Sequence, residues 1–372
     1  MAVDRRTLIG AALCAPIFAR AGHAAAAPTL TGAAAAKGIR CGSILAERYL
    51  QDHHYRDLIA DQCGIVTFEN ALKWTALRPS ADKFDFSRSD KLLQWATGAN
   101  MEVRGHNLLW PRQDRLPKWL ASYDFGEKPG ERSQALVGDH IETVMHRYAP
   151  YMQSFDVLNE AIQPESGDYR KSVLTPTPGA AEALFDFAFH TARRAAPNAQ
   201  LVYNDYMDWG DGSKAHRAGV LRMLEGFRKR GVPIDGLGIQ AHVTATADAA
   251  TIARRERDWR AFLDEVTDMG FRLLVTEFDV DDRDLTGDVA TRDAQVAGYA
   301  RAYADLMLDY PQLGTFMLWG LVDRYSWLQD FRPRKDGLEK RPNPYDDQYR
   351  PKRLHDALIQ AFNHAAPRKP SY

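Results

Sequence analysis

Eight short apolar runs alternate with longer, helix-like segments along most of this chain of 372 residues. The longer segments carry apolar residues at three- and four-residue spacing, and Pro197, Gly231, Gly270 and Pro311 each lie near the end of one of them. Strands that alternate with helical crossovers form parallel sheets, so the pattern predicts the α/β class. The count of eight predicts a single (β/α)8 TIM barrel. The predicted strands span residues 39–46, 65–69, 102–109, 154–159, 200–205, 236–242, 272–278 and 314–319.

An open, doubly wound sheet is the alternative fold for the same alternation. Such a sheet normally carries a glycine-rich phosphate loop after its first strand, and the stretch from Gly42 to Ala46 has no such pattern. A barrel of this length commonly forms one domain, and we expect it to span residues 38–366. Five of the predicted helices span residues 132–148, 180–195, 214–230, 251–269 and 290–309.

The N-terminal residues have the pattern of an export signal. Arg5 and Arg6 precede an apolar run at positions 8–18 that is too short for a membrane anchor, and small residues follow at 24–27. We predict a signal peptide over residues 1–24, of the twin-arginine type or of general secretion, and a flexible leader over residues 25–37. Export would place the protein in the periplasm or outside the cell, without a membrane anchor. Cys41 and Cys63 then either pair or remain buried thiols.

Charge and composition exclude some classes of partner. The formal charge is −1, and basic and acidic residues are interspersed, so no basic face for nucleic acid is predicted. Aromatic residues make up 10% of the chain, and many accompany the motifs described below. Their flat faces suit sugar rings, although packing in the core is the alternative use for each of them. A neutral polymer therefore fits this chain better than a charged one.

Polar and aromatic side chains collect where the predicted strands end. In a parallel barrel these ends open on one face, so side chains distant in sequence can contact one substrate. Any single Asn or Gln among them could instead serve as a cap or a hydrogen bond in the core. Taken together they indicate a site that recognises many hydroxyl groups. The strand-end residues are Glu69, Asn70, Lys73, Trp74, His106, Asn107, Trp110, Gln113, Asn159, Glu160, Asn204, Asp205, Tyr206, Gln240, His242, Glu277, Asp279, Trp319, Asp323 and Trp327.

Two of these residues are glutamates in matching contexts. Glu160 and Glu277 each follow an apolar, strand-like run, and 117 positions separate them. A lone carboxylate in such a place is usually a loop charge or a cap. Two of them on one barrel face provide what glycoside hydrolysis needs, because one carboxyl protonates the leaving oxygen and the other attacks the sugar or activates water. The pair therefore predicts a sugar-cleaving enzyme.

Several motifs resemble those of glycoside hydrolase family 10, the endo-1,4-β-xylanases. They occur in the family's order and spacing between about residues 42 and 352. The motifs are Thr67-Phe-Glu-Asn-Ala-Leu-Lys-Trp74, Leu77-Arg-Pro79, Phe84-Asp-Phe86, Arg104-Gly-His-Asn-Leu-Leu-Trp110, Asp156-Val-Leu-Asn-Glu-Ala161, Asn204-Asp-Tyr206, Ile234-Asp-Gly-Leu-Gly-Ile-Gln240, Thr276-Glu-Phe-Asp279 and Trp319-Gly-Leu-Val-Asp-Arg-Tyr-Ser-Trp327.

The resemblance implies a retaining enzyme that cleaves internal bonds of xylan. Glu160 would be the acid/base and Glu277 the nucleophile, while His242 and Asp279 would orient the nucleophile. Asp279 lies two positions after Glu277 on the same face of a strand, so a hydrogen-bonded chain can run through His242. The resemblance implies no metal and no organic cofactor; the oligomeric state is open, with a monomer as the expectation. The implied substrate-binding residues are Glu69, Asn70, Lys73, His106, Trp110, Gln113, Asn159 (to the sugar 2-hydroxyl), Tyr206, Gln240, Trp319 and Trp327.

Two stretches depart from the family pattern. Many family members have a histidine after the tryptophan of the third-strand motif, where this chain has Pro111, which carries neither an imidazole nor a backbone N–H. In the family that histidine belongs to a polar network with the aspartate at position 156, so the setting of Glu160 is an open point. The stretch over residues 341–352 follows the family only loosely.

Two other functions fit parts of the pattern. A retaining β-1,4-glucanase or mannanase would share both glutamates and accept a different sugar. Trp319, Trp327 and Lys73 favour xylose, because bulky groups beside a sugar C5 would exclude a hydroxymethyl arm. A non-catalytic polysaccharide-binding barrel is the other alternative, and the retention of both carboxylates argues against it.

Overall fold

Eight parallel strands close into a barrel in the computed structural model, which describes residues 27–370. A ninth, short strand, β7, continues the line of β6 beyond Gln240 and Ala241 and pairs with the outer part of β8. The predicted (β/α)8 barrel is therefore confirmed. The strands are β1 Arg40–Leu45, β2 Ile65–Phe68, β3 Glu102–Gly105, β4 Met152–Asn159, β5 Gln200–Asp205, β6 Gly236–Ile239, β7 His242–Thr244, β8 Arg272–Asp281 and β9 Leu313–Leu318.

Closure of the barrel rests on two pairings that join distant parts of the chain. β1 lies between β2 and β9, with Gly42 opposite Ile65 on one side. β6 pairs directly with β8, with Gly236 opposite Arg272. Every pairing between these strands is parallel, so all eight carboxyl ends lie on one face of the barrel.

Helices connect most of the strands and cover the outside of the barrel. Asp248 and Asp288 cap two of them by accepting backbone N–H groups of the first turn, and Gly231 ends another in the left-handed conformation that glycine adopts without strain. The predicted helices over 180–195 and 214–230 have these same bounds in the structure. The helices are α1 Leu30–Ala35, α2 His53–Gln62, α3 Trp74–Leu77, α4 Ser87–Gly98, α5 Pro129–Tyr148, α6 Ala180–Ala195, α7 Lys214–Arg230, α8 Ala249–Asp268, α9 Val289–Leu308 and α10 Arg353–His364.

The predicted flexible leader over residues 25–37 is wrong for most of its described part. Residues Leu30–Ala35 form α1, whose Leu30 and Ala34 are fully buried. Thr29 caps this helix, and Gln62 accepts a hydrogen bond of 3.0 Å from the N–H of Leu30. An alanine-rich sequence resembles a linker in composition, yet alanine is the best helix former, and its small side chain lets α1 pack closely against β1 and α10.

The other end of the predicted domain also extends further than residue 366. The N–H of Arg368 donates to the carbonyl of Lys37, and its guanidinium donates to the carbonyls of Leu308 and Tyr310.

The predicted third strand, residues 102–109, is too long, because β3 ends at Gly105. Beyond that point the chain still follows β4 as an isolated bridge at Leu109.

The predicted signal peptide, residues 1–24, lies outside the described residues. Within them, both cysteines are free: Cys41 and Cys63 are buried thiols, and burial raises the pKa of Cys41 to about 12. None of the helices between residues 27 and 370 is long and apolar enough to span a membrane.

Tight contact between neighbouring strands leaves no room for side chains at some barrel positions. A Cβ atom on Gly42 would overlap the carbonyl oxygen of Ile65, its neighbour on β2. The overlap is with backbone, which cannot rotate away. A glycine is therefore required at position 42 by the approach of β1 to β2.

We expect Gly42→Ala to lower the free energy of unfolding by at least about 2 kcal/mol, because overpacking of a rigid interior typically costs 1–3 kcal/mol or more. Gly298→Ala is the matched control. Gly298 lies on the exposed side of α9 with open space around it, and alanine there should stabilise the helix by about 0.5–1 kcal/mol. Urea unfolding followed by tryptophan fluorescence measures both. Equal stability of the two variants would show that β1 and β2 are not packed this closely.

Candidate active site

The carboxyl ends of β4 and β8 bring together the two glutamates that the sequence singles out. Glu160 directly follows β4, and Glu277 lies within β8. Both are almost fully buried, with 6% and 4% of their surface exposed. A buried carboxylate needs polar partners, because its burial without them costs far more than one hydrogen bond returns. The partners of the two glutamates differ, and that difference defines the site.

Glu277 belongs to a continuous chain of hydrogen bonds. The Nε2 atom of His242 lies 3.3 Å from one oxygen of Glu277, and the Nδ1 atom of the same ring lies 2.9 Å from Asp279. The indole N–H of Trp327 donates to the second oxygen of Asp279 at 2.8 Å. The chain through Glu277, His242 and Asp279 that the sequence predicts is thus present, and it extends one residue further.

These contacts give His242 and Glu277 opposite charges. Burial acts to lower the pKa of His242, but the charges of Asp279 and Glu277 and the hydrogen bonds with them raise it to about 10. Burial acts to raise the pKa of Glu277, but the hydrogen bond with His242 and nearby positive charges outweigh it and lower that pKa. Both directions agree, so an imidazolium faces an ionised Glu277 at neutral pH.

Asn204, at the end of β5, links Glu277 to Asn159. Its amide donates to Glu277 Oε1 at 2.8 Å and to Asn159 Oδ1 at 2.9 Å, while Thr276 donates to its oxygen at 2.7 Å. The sequence places Asn204 among the strand-end residues but assigns it no role in the site. The amide nitrogen of Asn159 is buried without a protein partner. It is therefore a donor available to a bound hydroxyl group.

Glu160 has three donors of a different kind. The indole N–H of Trp110 and the guanidinium of Arg112 both donate to Oε2, at 3.1 and 2.9 Å. The amide of Gln240 donates to Oε1 at 3.1 Å. The backbone of Glu160 has a φ of 49°, a left-handed conformation that is uncommon outside glycine. Trp110 and Gln240 are predicted site residues, whereas Arg112 is not.

The polar network around Asp156 is complete without position 111. Asp156 is fully buried inside the barrel, where Arg104 forms a two-pronged ion pair with it and the Nδ1 atom of His106 lies 2.8 Å away. Burial acts to raise the pKa of Asp156, but the Arg104 charge outweighs it and lowers that pKa. Asp156 is therefore satisfied within β3 and β4 and needs no partner from position 111.

Lys73 provides a cation near both glutamates. Its ammonium group donates to Asn70 at 2.9 Å and lies 5.0 Å above the ring of Trp110. Burial lowers the pKa of Lys73, and the charges of Glu277, Glu69 and Glu160 oppose that effect. Glu69, after β2, forms an ion pair of 2.6 Å with Arg48. These predicted residues of the second strand end thus line one side of the site.

Two tryptophan rings pack against His242 and His106. Trp327 meets His242 edge-on at a centroid distance of 5.0 Å, and Trp319 meets the same ring at 6.1 Å. His106 contacts the other side of Trp319 at 5.6 Å. Trp319 is 8% exposed. The tryptophans therefore form apolar walls beside Glu277, as aromatic side chains do in sites that bind sugar rings.

Two predicted site residues form hydrogen bonds with the long loop between β4 and α6. The side-chain oxygen of Gln113 accepts the N–H of Val173, so this residue supports the loop. The hydroxyl of Tyr206 accepts a hydrogen bond of 2.5 Å from Arg170, which belongs to the same loop. Arg170 and Arg112 both act electrostatically on Tyr206, which places these cations on the Glu160 side of the site.

A closed parallel barrel with two buried glutamates and aromatic walls at its carboxyl face has the architecture of a barrel glycoside hydrolase. The sequence model of glycosyl hydrolase family 10 matches residues 29–361, and the chain belongs to this family. Endo-1,4-beta-xylanase 1 of Gibberella zeae is 33% identical over 290 residues, which cover 75% of this chain and 78% of the relative. Endo-1,4-beta-xylanase A of Fusarium oxysporum is 31% identical over 298 residues, which cover 76% and 86%.

Solved structures resemble the whole barrel. Xylanase 10B from Thermotoga maritima superposes with a TM-score of 0.79 at 28% identity, covering 90% of this chain and 98% of that one. Xylanase 10B from Thermotoga petrophila, solved in complex with xylobiose, gives a TM-score of 0.78 at 28% identity, covering 90% and 97%. The fold and the family are thus established by independent comparisons.

The raised pKa of His242 makes a prediction about stability against pH. A histidine with a folded-state pKa near 10 contributes stability that is complete below about pH 6.5, its unfolded value, and is lost as the pH rises towards 10. The free energy of unfolding should therefore fall more steeply over this range in the native protein than in His242→Gln. We expect a difference of at least about 1 kcal/mol, since one pKa unit corresponds to about 1.4 kcal/mol.

His140→Gln is the matched control for that measurement. His140 is also buried, but burial lowers its pKa to about 3, so it stays neutral over the whole range. Its replacement should change stability by the same amount at every pH from 7 to 10. Urea unfolding at fixed pH values measures all three proteins. If the curves of His242→Gln and the native protein run parallel, His242 is not charged in the folded state.

Proposed function

We propose that this protein is a retaining endo-1,4-β-xylanase that hydrolyses internal bonds of xylan. The observation that carries the proposal is the pair of buried glutamates at the ends of β4 and β8, one beside an imidazolium and the other at the cleft wall. The names of similar family members support the choice of substrate. The chemistry needs two carboxyl groups and a water molecule.

In the first step Glu277 attacks the anomeric carbon of the sugar. It is suited to this role because the interactions that lower its pKa keep it ionised. Glu160, across the cleft, donates its proton to the glycosidic oxygen as the bond breaks. The leaving sugar departs as an alcohol, and a covalent α-glycosyl ester forms on Glu277.

In the second step water opens that ester. Glu160, now ionised, removes a proton from the water molecule, which attacks the anomeric carbon from the face that the leaving group vacated. Two inversions at the same carbon give net retention. The same carboxyl therefore serves as acid and then as base, so it must be stable in both protonation states.

His242 and Asp279 act by positioning Glu277. The imidazole lies between the two carboxylates, and Trp327 holds the outer one. Asn159 has an unpartnered amide N–H beside this chain, and we assign it to the 2-hydroxyl of the sugar bound at Glu277. Hydrogen bonds to this hydroxyl strengthen as the transition state forms.

The remaining predicted residues would bind the sugars on the two sides of the cleaved bond. Lys73 and the two tryptophans crowd the space beside Glu277, which favours xylose over sugars that carry a hydroxymethyl arm. Tyr206 and Gln240 lie on the Glu160 side and would contact the leaving sugar. The residues assigned to the glycone side are Glu69, Asn70, Lys73, His106, Gln113, Trp319 and Trp327.

We also propose that the protein is exported to the periplasm or the extracellular space. Arg5 and Arg6, the apolar run over residues 8–18 and the small residues after it support this assignment. A soluble polysaccharide is too large to enter the cytoplasm, so the proposed substrate agrees with this location.

The first test of the proposal is the choice and mode of substrate cleavage. Purified protein should release reducing sugar from xylan at least about tenfold faster than from cellulose or mannan. The viscosity of soluble xylan should fall before much reducing sugar appears, because internal cuts shorten the chain early. Preference for cellulose or mannan would make the protein a glucanase or mannanase. Release of xylose alone from chain ends would contradict internal cleavage.

The second test assigns the roles of the two glutamates. Glu160→Ala should lose about 10²–10⁴-fold of its rate on xylan, the usual contribution of general acid–base catalysis. It should still react with an aryl xylobioside whose leaving group needs no protonation, and added azide should then give a β-glycosyl azide. Glu277→Ala should lose the first step on all substrates, and azide should give the α-azide by direct attack on the activated glycoside.

Proton NMR of the products distinguishes the possibilities. The two variants should give opposite anomers, and the native enzyme should release β-xylose ends first. Exchange of the two anomers between the variants would mean that the roles are reversed. Initial release of α-xylose ends by the native enzyme would mean inversion, for which the carboxyl groups would stand roughly 6.5–9.5 Å apart.

A further inference from the structure

Arg112 lies beside the proposed acid/base in a stretch where this chain departs from its family's pattern. Pro111 provides neither an imidazole nor a backbone N–H at this point, and the next residue is an arginine. The chain turns here between Trp110 and the short helical turn Gln113–Arg115. This turn directs the guanidinium of Arg112 onto Glu160.

The contact is a direct, well-formed ion pair. Nη1 of Arg112 lies 2.9 Å from Glu160 Oε2, and the Arg112 side chain is 25% exposed against 8% for the Glu160 side chain. On its outer side the same guanidinium contacts Asp114 through Nε at 3.2 Å and Nη2 at 3.0 Å. Burial acts to lower the pKa of Arg112, but the hydrogen bonds with Asp114 and Glu160 raise it, so the cation persists at every working pH.

Other ionisable groups act on Glu160 from the elements packed around it. Lys73, after β2, interacts with it electrostatically, and burial lowers the pKa of this lysine. Tyr203 of β5 and Tyr206 after it also interact with Glu160, and both remain neutral because burial raises their pKa values, that of Tyr206 to about 12. Of the cations named here, Arg112 is the one whose atoms touch the carboxylate.

A cation in contact with a carboxylate favours its ionised form. The two proposed steps make opposite demands on Glu160, since bond cleavage needs the proton and ester hydrolysis needs the ionised form. Arg112 therefore opposes the first step and assists the second. Its effect should appear in kcat/KM for substrates whose leaving group needs a proton, because that constant reports the free enzyme's acid.

We propose that Arg112 is a positioning residue that holds the Glu160 carboxylate and sets the upper pH limit of xylan cleavage. This inference rests on the proposed role of Glu160 as the acid. The guanidinium fixes Oε2 together with Trp110, and its positive charge favours the ionised carboxylate over the acid. The position after Pro111 thus carries a pH-setting function in this chain.

The test compares kcat/KM against pH for three variants with soluble xylo-oligosaccharides as substrate. Arg112→Gln keeps a hydrogen-bond donor but removes the charge. The alkaline limb of its kcat/KM profile should therefore shift to higher pH by about one unit, the lower end of the usual effect of an opposite charge in contact. Arg112→Lys keeps the positive charge, so the alkaline limb of its profile should lie close to that of the native protein. Asp114→Asn, at a side chain that is 59% exposed, removes a competing carboxylate, so its limb should move down.

Arg115→Gln is the matched control. Arg115 lies on the same turn, contacts Asp114 at 3.3 Å and lies 5.2 Å from the ring of Trp110, but it makes no ion pair with Glu160. Its alkaline limb should stay within about 0.2 pH units of the native one. A 2,4-dinitrophenyl xylobioside is the second control, because its leaving group needs no proton, and Arg112→Gln should leave its alkaline profile unchanged.

Each result bears on one proposal. An unchanged or lowered limb in Arg112→Gln, or an equal shift in Arg115→Gln, would overturn the role of Arg112 while leaving the xylanase proposal intact. Absence of cleavage of both substrates by the native protein would instead overturn the proposed function. Circular dichroism shows whether Arg112→Gln folds. If it does not, Asp114→Asn is the deciding variant, and an alkaline limb that does not shift to lower pH in this variant would count against the role of Arg112.

Discussion

Closure of the parallel sheet is the constraint on which the rest of this structure depends. The pairing of β6 with β8, and of β1 with β9, leaves no open edge among the barrel strands. Because all of these strands run in one direction, closure carries eight carboxyl ends to one face. Glu160 and Glu277, separated by 117 positions in sequence, become neighbours for this reason alone. The close approach of strands at Gly42 shows how little freedom closure leaves to the backbone.

The same closure puts many charges into a small, buried volume, and the protein arranges them in separate networks. Glu277 faces His242, which faces Asp279. Asp156 is neutralised within β3 and β4 by Arg104. Desolvation offsets much of the attraction within such buried pairs, but each pair orients its members closely. In a site whose chemistry needs one ionised and one protonated carboxyl, this control of position and charge is what the networks contribute.

Glu160 differs from Asp156 because the cation that contacts it is partly exposed. Arg112 is a quarter exposed and is shared with Asp114, whereas Arg104 is buried on one carboxylate. The proposed acid/base thus has two neutral donors, Trp110 and Gln240, and one charged donor, Arg112.

Local patterns in the chain are enough to predict the barrel, most of its strands and the two glutamates, because hydrophobic periodicity and strand ends are properties of short segments. The helices over 180–195 and 214–230 show this, as does the position of Glu277 and Asp279 on one face of β8, which follows from the alternation of side chains along a strand.

Tertiary packing decided the rest. The alanine-rich segment before β1 forms a helix that packs against β1 and α10, a surface that composition alone does not reveal. Asn204 and Arg112 joined the site because long-range closure placed β5 and the turn after β3 beside the glutamates. The sequence determines which groups are available at the strand ends, and only the folded barrel determines which of them meet, because side-chain contacts depend on distances between segments that no local pattern contains.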